Sequence, residues 1–195
     1  DGNLIADGHG MMEIQGLNSE MIDVAAYSQR AFSDADLMAK ILGREALSKE
    51  YETKAAILRG KINTIFWNEE FQSYADFLST KEQALKLADD AIERAFKLKN
   101  NWAVAELKET KTKIENDTST GKKSFVIYHN WVVNTPMETG IAEKEKAIKG
   151  LNTAQQFTNP YGMFVTGIDR NENADKDENS YAATTKKDEF TYTGT

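Results

Sequence analysis

MIDVAAYSQRAFSDADLMAKILGREALSKEYETKAAILRGKINTIFW, residues 21–67, decides how the chain folds. Met21, Val24, Ala25, Ser28, Phe32, Ala35, Met38 and Leu42 recur at three- and four-residue steps. That spacing puts one apolar stripe on a long helix, with Asn18 as its N-cap and Gly43 as its stop. Ser48 opens a second helix, striped by Tyr51, Ala55, Leu58, Ile62 and Ile65 and closed by Phe66-Trp67. So short a link makes the two helices antiparallel neighbours.

The same pattern continues outward. Asn68-Glu69-Glu70 reads as a turn into an extended FQSYADFL stretch (71–78). Thr80 and Gln83 form a capping-box pattern before a third helix carrying Ala84, Leu87, Ala88, Ala91, Ile92, Ala95 and Phe96. Asn100-Asn101 breaks that helix, and a fourth starts near Trp102 and turns polar by Lys111. Residues 115–123 read as an exposed loop. SFVIYHNWVVNTP (124–136) is β-branched and aromatic and reads as extended. A fifth helix is expected from about Ile141 to Phe157, using Ile148, Leu151 and Ala154, and Asn159-Pro160 ends it. Residues 170–195 read as an irregular polar tail. The expected class is all-α: antiparallel helix hairpins with extended aromatic-rich loops.

Composition excludes several functions. A net charge of −7 disfavours a nucleic-acid backbone as partner. Zero cysteines exclude disulfides, thiolate metal sites and a Cys nucleophile. No apolar run is long enough for a membrane-spanning helix, and no membrane partner is expected. Lack of cysteine is compatible with export but does not fix the compartment; a bacterial periplasmic or secreted setting is slightly favoured over a cytoplasmic one. Walker, GxGxxG and HExxH patterns are absent, and no cofactor is expected. Asp169, Asn171, Asn173, Asp175 and Asp177 alternate like a calcium loop. However, Ala174 stands where a Gly belongs and Ser180 where a bidentate Glu belongs, so no metal is assigned.

Three stretches concentrate Gly, aromatics and polar groups at helix ends: GHGMMEIQGLNSEMIDVAAY (8–27), YHNWVVNTPMETGIA (128–142) and NPYGMFVTGID (159–169). Loops at helix ends carry chemistry while the helices set geometry. In their order and spacing, and together with FW-x6-YAD (Phe66, Trp67, Tyr74 to Asp76), these stretches resemble the six-hairpin glycosidase superfamily. Its members are (α/α)6 toroids, and the likeness is to bacterial, glycogen-debranching-like enzymes. It runs from about Asp7 to Asp169. Glu13 resembles the Glu of a "VEI" segment that leads into an inner toroid helix.

The resemblance implies that residues 1–195 form one partial toroid domain of a glycoside hydrolase. It also implies a carbohydrate substrate and, as is common in this superfamily, inversion. Glycosidic cleavage commonly uses two carboxyl groups, about 6.5–9.5 Å apart for inversion and about 5–5.5 Å for retention. Glu13, Glu138 and Asp169 are the candidate catalytic carboxylates. His9, Asn18, His129, Asn130, Trp131 and Tyr161 are the candidate sugar-binding residues. Each has a plainer alternative: a turn for Asp169, a core position for Trp131 and Tyr161, solvent for His9. Glu20 and Asp23 read as first-turn carboxylates favoured by the helix dipole or solvated. A chain with five or six helices cannot close a six-pair ring. The isolated chain is therefore expected to be weakly active or inactive, with the rest of the toroid or a second copy as possible partner. The competing reading is a non-catalytic helical module that binds sugar or protein. A linear helical repeat is disfavoured because no motif recurs at a period of about 34 residues.

Overall fold

The computed structural model describes residues 2–8, 10, 19–159, 162–164, 167–169 and 193–194. The chain enters through β1 (Asp7–Gly8) and β2 (Ser19–Met21). It then forms a hairpin of α1 (Ile22–Ile41) and α2 (Glu45–Ile65). Next come the short strands β3 (Trp67–Asn68), β4 (Ser73–Tyr74) and β5 (Phe77–Ser79). A second hairpin, α3 (Lys81–Lys97) and α4 (Asn101–Asn116), leads to β6 (Lys123–Phe125). A 3-10 turn (Trp131–Asn134), α5 (Thr135–Glu138) and α6 (Lys144–Ala154) follow, then β7 (Thr158–Asn159), β8 (Gly162–Phe164) and β9 (Thr193–Gly194). The fold is mostly helical and built on antiparallel helix pairs.

The two hairpins pack on opposite faces of a small antiparallel sheet, β1-β2-β5-β6. Successive side chains of a strand point to opposite faces. Phe77, Phe125 and Ile127 join one apolar cluster with Ala84, Ala88, Ala91, Ala95 and Leu107 of the second hairpin. Leu78 and Val126 join another with Ile22, Ala25, Ala26, Leu58 and Ile62 of the first. The alanine row on α3 keeps that surface shallow, which lets α4 and the sheet approach closely.

Local signals in the sequence set several boundaries. Thr80 Oγ1 accepts the Gln83 amide at 3.3 Å, as the capping pattern requires. Asn100, which breaks α3, caps α4 by accepting the Ala103 amide at 3.2 Å. Gly43 takes φ +65°, the left-handed conformation that stops α1. Other boundaries differ from expectation. The second helix begins a turn before Ser48, whose hydroxyl instead donates to Asp36 across the hairpin at 2.7 Å. The stretch 124–136 is extended only at its start. Pro136 lies in the first turn of α5, and the Thr135 hydroxyl donates to the Val132 carbonyl at 2.8 Å, so the backbone coils there. The fifth expected helix is α6, shorter at both ends and continued as a 3-10 turn over Gln155–Phe157.

The apolar stripes are also only partly used. Met21 and Ala25 are buried, whereas Met38 and Leu42 at the far end of the same stripe are exposed, as are Phe96, Ile148 and Leu151. Nothing described packs over the tips and outer faces of these helices.

One buried side chain joins the first hairpin to the segment before α6. Asn63 accepts from the Tyr74 hydroxyl at 2.6 Å and the Glu143 amide at 3.0 Å, and donates to the Ile141 carbonyl at 3.0 Å. Replacing it with Ala orphans buried polar groups, each worth about 1–3 kcal/mol. Asn63→Ala is expected to lower unfolding free energy by at least one such increment in urea denaturation. An unchanged midpoint would show that this junction contributes nothing.

Candidate functional site

The polar centre of the molecule is Asp76, at the bend between β4 and β5. Pairing of β5 with β6 runs Phe77 opposite Phe125 and so carries Asp76 beneath the strand exit. Its Oδ2 accepts the amides of Ile127 and Tyr128 at 2.5 and 2.9 Å. The Asp76 amide in turn donates to the Phe125 carbonyl at 3.0 Å. One carboxylate thereby holds the segment leaving β6. Asp76 has no solvent exposure, and its Oδ1 has no hydrogen-bond partner among the described residues. Burial pushes its carboxyl up to about 6, against the pull of the two amides, and the charge of Asp169 adds to the rise.

The clamped segment organises its neighbours. The Ile168 amide donates to the Tyr128 carbonyl at 3.0 Å, which docks residues 167–169 alongside. A Cβ on Gly167 would lie 2.7 Å from the Tyr128 ring and 2.4 Å from Asp169 Oδ1, so only glycine fits that approach. Asp169, fully buried, pairs with Arg94 Nε of α3 at 2.6 Å. Burial opposes the Arg94 charge, but Asp169 outweighs it and leaves the Arg94 pKa raised. Asn130 is fully buried, with neither amide atom hydrogen-bonded among the described residues.

His129 takes a left-handed backbone, φ +51°, unusual for a residue with a side chain. This turns its imidazole onto Phe157, with ring centroids 3.7 Å apart and planes within 10°. Burial, with Lys113 nearby, drives its pKa down to about 3, so the ring is neutral at any ordinary pH. Trp131 is half-buried against the first hairpin's cluster. Glu138 is exposed at the end of α5 and accepts from the Tyr27 hydroxyl at 3.2 Å. Burial first, and Glu138 second, raise the pKa of that hydroxyl.

Two of the three polar stretches therefore meet, 128–142 with 159–169. The third touches them where α1 packs on the 3-10 turn and α5. The Ile168–Tyr128 bond brings Asp169 to the segment just before His129 and Asn130, while Trp131 and Glu138 lie on the side facing the first hairpin. Glu13, His9, Asn18 and Tyr161 fall outside the described residues, as does most of the calcium-like run. Glu20 and Asp23 are not solvated: Glu20 lies in β2, accepting from Asn3 Nδ2 at 2.5 Å, and Asp23 is fully buried in the first turn of α1. No group of three or more His, Asp or Glu suited to a metal occurs among the described residues. Sequence reading missed Asp76 and Arg94. The only signal was YAD itself, a carboxylate set among aromatics at a strand junction.

A model of the trehalase family matches residues 4–169. The chain belongs to the trehalase family. These are glycoside hydrolases of the six-hairpin superfamily, as the resemblance implied. No curated protein matches the chain. The trehalase-family match ends at Asp169, the residue that closes the docked 167–169 segment.

Asp76 and His129 have opposing effects on stability. Asp76 titrates higher in the folded chain than its usual 3.8, so its contribution is greatest below pH 4 and is lost as pH rises through about 6. A shift of about two units corresponds to about 3 kcal/mol. His129 titrates lower than its usual 6.5, so its contribution is present above that pH and is lost on acidification toward 3. Asp76→Asn is therefore expected to make stability fall more steeply between pH 6 and pH 4 than in the native chain. His129→Gln is expected to do the reverse. Chemical denaturation at half-unit pH intervals checks both slopes, and parallel profiles for all three proteins would refute the assignments.

Proposed function

We propose that this chain is part of a glycoside hydrolase catalytic domain. It would cleave glycosidic bonds of an oligo- or polysaccharide with paired carboxylates, by inversion, drawn from Glu13, Glu138 and Asp169. The observation carrying this reading is the convergence of the 128–142 and 159–169 segments on one buried polar centre. There Asn130 and one oxygen of Asp76 are left with hydrogen-bonding capacity to spare. Family membership supplies the reaction class. A carboxylate pair built for an oxocarbenium-like transition state favours a cationic sugar mimic over the neutral sugar. In calorimetric titration, 1-deoxynojirimycin is expected to bind at least about 100-fold tighter than glucose. Glu138→Gln, an exposed and structurally mild change, is expected to weaken it about tenfold. Equal affinities for the two ligands would contradict the hydrolase reading.

A six-hairpin ring needs six helix pairs, and the described residues supply two, α1–α2 and α3–α4, plus the one-turn α5 and the helix α6. The exposed Met38, Ile41, Leu42 and Phe96 provide apolar surface for additional helices. We therefore expect this chain alone to release little or no glucose from an α-glucan or aryl glycoside. Robust turnover by the 195-residue chain would overturn that expectation.

One observation favours a non-catalytic, sugar-binding module instead. Asp169 is sealed in an ion pair with Arg94, and Glu138 is already engaged by Tyr27.

A further inference from the structure

The outer end of the α1–α2 hairpin is apolar and uncovered. Leu37, Met38, Ile41 and Leu42 lie at three- and four-residue steps over the last turns of α1, and Leu47 follows in the first turn of α2. Ile41 and Leu42 are 76% and 73% exposed, and the other three at least 40%. A contiguous aliphatic patch of this kind marks a docking surface. The tip is also preformed. The amides of Leu42, Gly43 and Arg44 donate to the carbonyls of Met38, Lys40 and Ala39, and the Ser48 hydroxyl ties the two helices together through Asp36. Little further order has to be gained when it binds.

The charges around the patch decide what fits it. The whole chain carries a net −7, so two copies repel each other on average. Residues 30–54 are neutral, with five cationic and five anionic side chains. Four pairs form within the hairpin: Arg30 with Asp34, Lys40 with Asp36, Lys49 with Glu52 and Lys54 with Glu50. That leaves Arg44 and Glu45, consecutive at the exposed turn, without an ion pair among the described residues. We propose that the tip binds the same tip of a second copy across a twofold axis. Under a twofold, Arg44 of each copy faces the partner's Glu45, so the two unpaired charges satisfy each other twice. The aliphatic side chains of both tips form the dry centre, and these ion pairs the rim. A partner of a single charge sign would leave either Arg44 or Glu45 unmatched. The helices that cover this end of the hairpin are then those of another copy. With five aliphatic side chains a side, the contact is smaller than a standard interface. The dimer is therefore weak, with a dissociation constant on the order of 10 μM. It requires no cleavage and stands or falls independently of the hydrolase reading.

Sedimentation velocity of the 195-residue chain tests this, at loadings from about tenfold below to about tenfold above that value. A monomer–dimer equilibrium is expected. Ile41→Lys, an exposed change to a good helix former, is expected to weaken it at least about tenfold. Arg44→Glu alone and Glu45→Arg alone set like charges against each other and are each expected to weaken it. Arg44→Glu combined with Glu45→Arg restores opposite signs across the axis and is expected to recover it. Phe96→Lys, at the exposed end of α3, is expected to leave it unchanged. Far-UV circular dichroism of every variant is expected to match that of the native chain. A monomer at all loadings, a dimer that survives Ile41→Lys, or a double variant no tighter than either single one would each overturn the proposal.

Discussion

The structure depends on one carboxylate accepting two backbone amides. Asp76 holds Ile127 and Tyr128 at the point where β6 ends and the chain must leave the sheet. The clamp acts together with packing of the next residues, whose side chains alternate between two cores. Ile127 packs toward the second hairpin and Val126 toward the first. A slip of one residue would exchange those faces. The clamp therefore sets the register of the segment that carries His129, Asn130 and Trp131. Through the Tyr128 carbonyl it also sets the position of Asp169.

The polar centre is expensive to maintain. A fully buried carboxylate, a buried arginine–aspartate pair, an asparagine whose side-chain amide has no hydrogen bond among the described residues and a histidine in a left-handed conformation lie within consecutive or directly bonded residues. Buried polar groups left unsatisfied are uncommon in a domain selected for stability alone. Their concentration on two loop segments, away from the alanine-rich hairpin core, matches the usual division between scaffold and site. The trehalase-family match spans both the hairpins and these loop segments.

Much of this organisation was legible in the sequence, for physical reasons that differ by element. The helix pairs follow from the apolar period, and the caps at Thr80 and Asn100 from short polar side chains that compete for free amides. The three polar stretches were visible because Gly, aromatics and carboxylates rarely cluster within a packed helix. Less legible was the sheet between the hairpins. Its strands are two or three residues long, too short for an alternation to register, and the central pair, β2 and β5, is buried throughout. Asp76 was hidden for the same reason, since its role comes from a partner segment some fifty positions away. The inner and outer ends of the α1 stripe could not be told apart either. Met21 and Met38 are alike in sequence, and only tertiary packing separates the buried one from the exposed one.

The most direct test of the clamp is a ¹³C NMR titration of the Asp76 carboxyl carbon, followed together with the amide protons of Ile127 and Tyr128. The structure predicts a midpoint near 6, with both amide resonances moving on the same curve as the carboxyl accepts its proton. A midpoint near the ordinary 3.8, or amide protons indifferent to the titration, would contradict the account of how this segment is held.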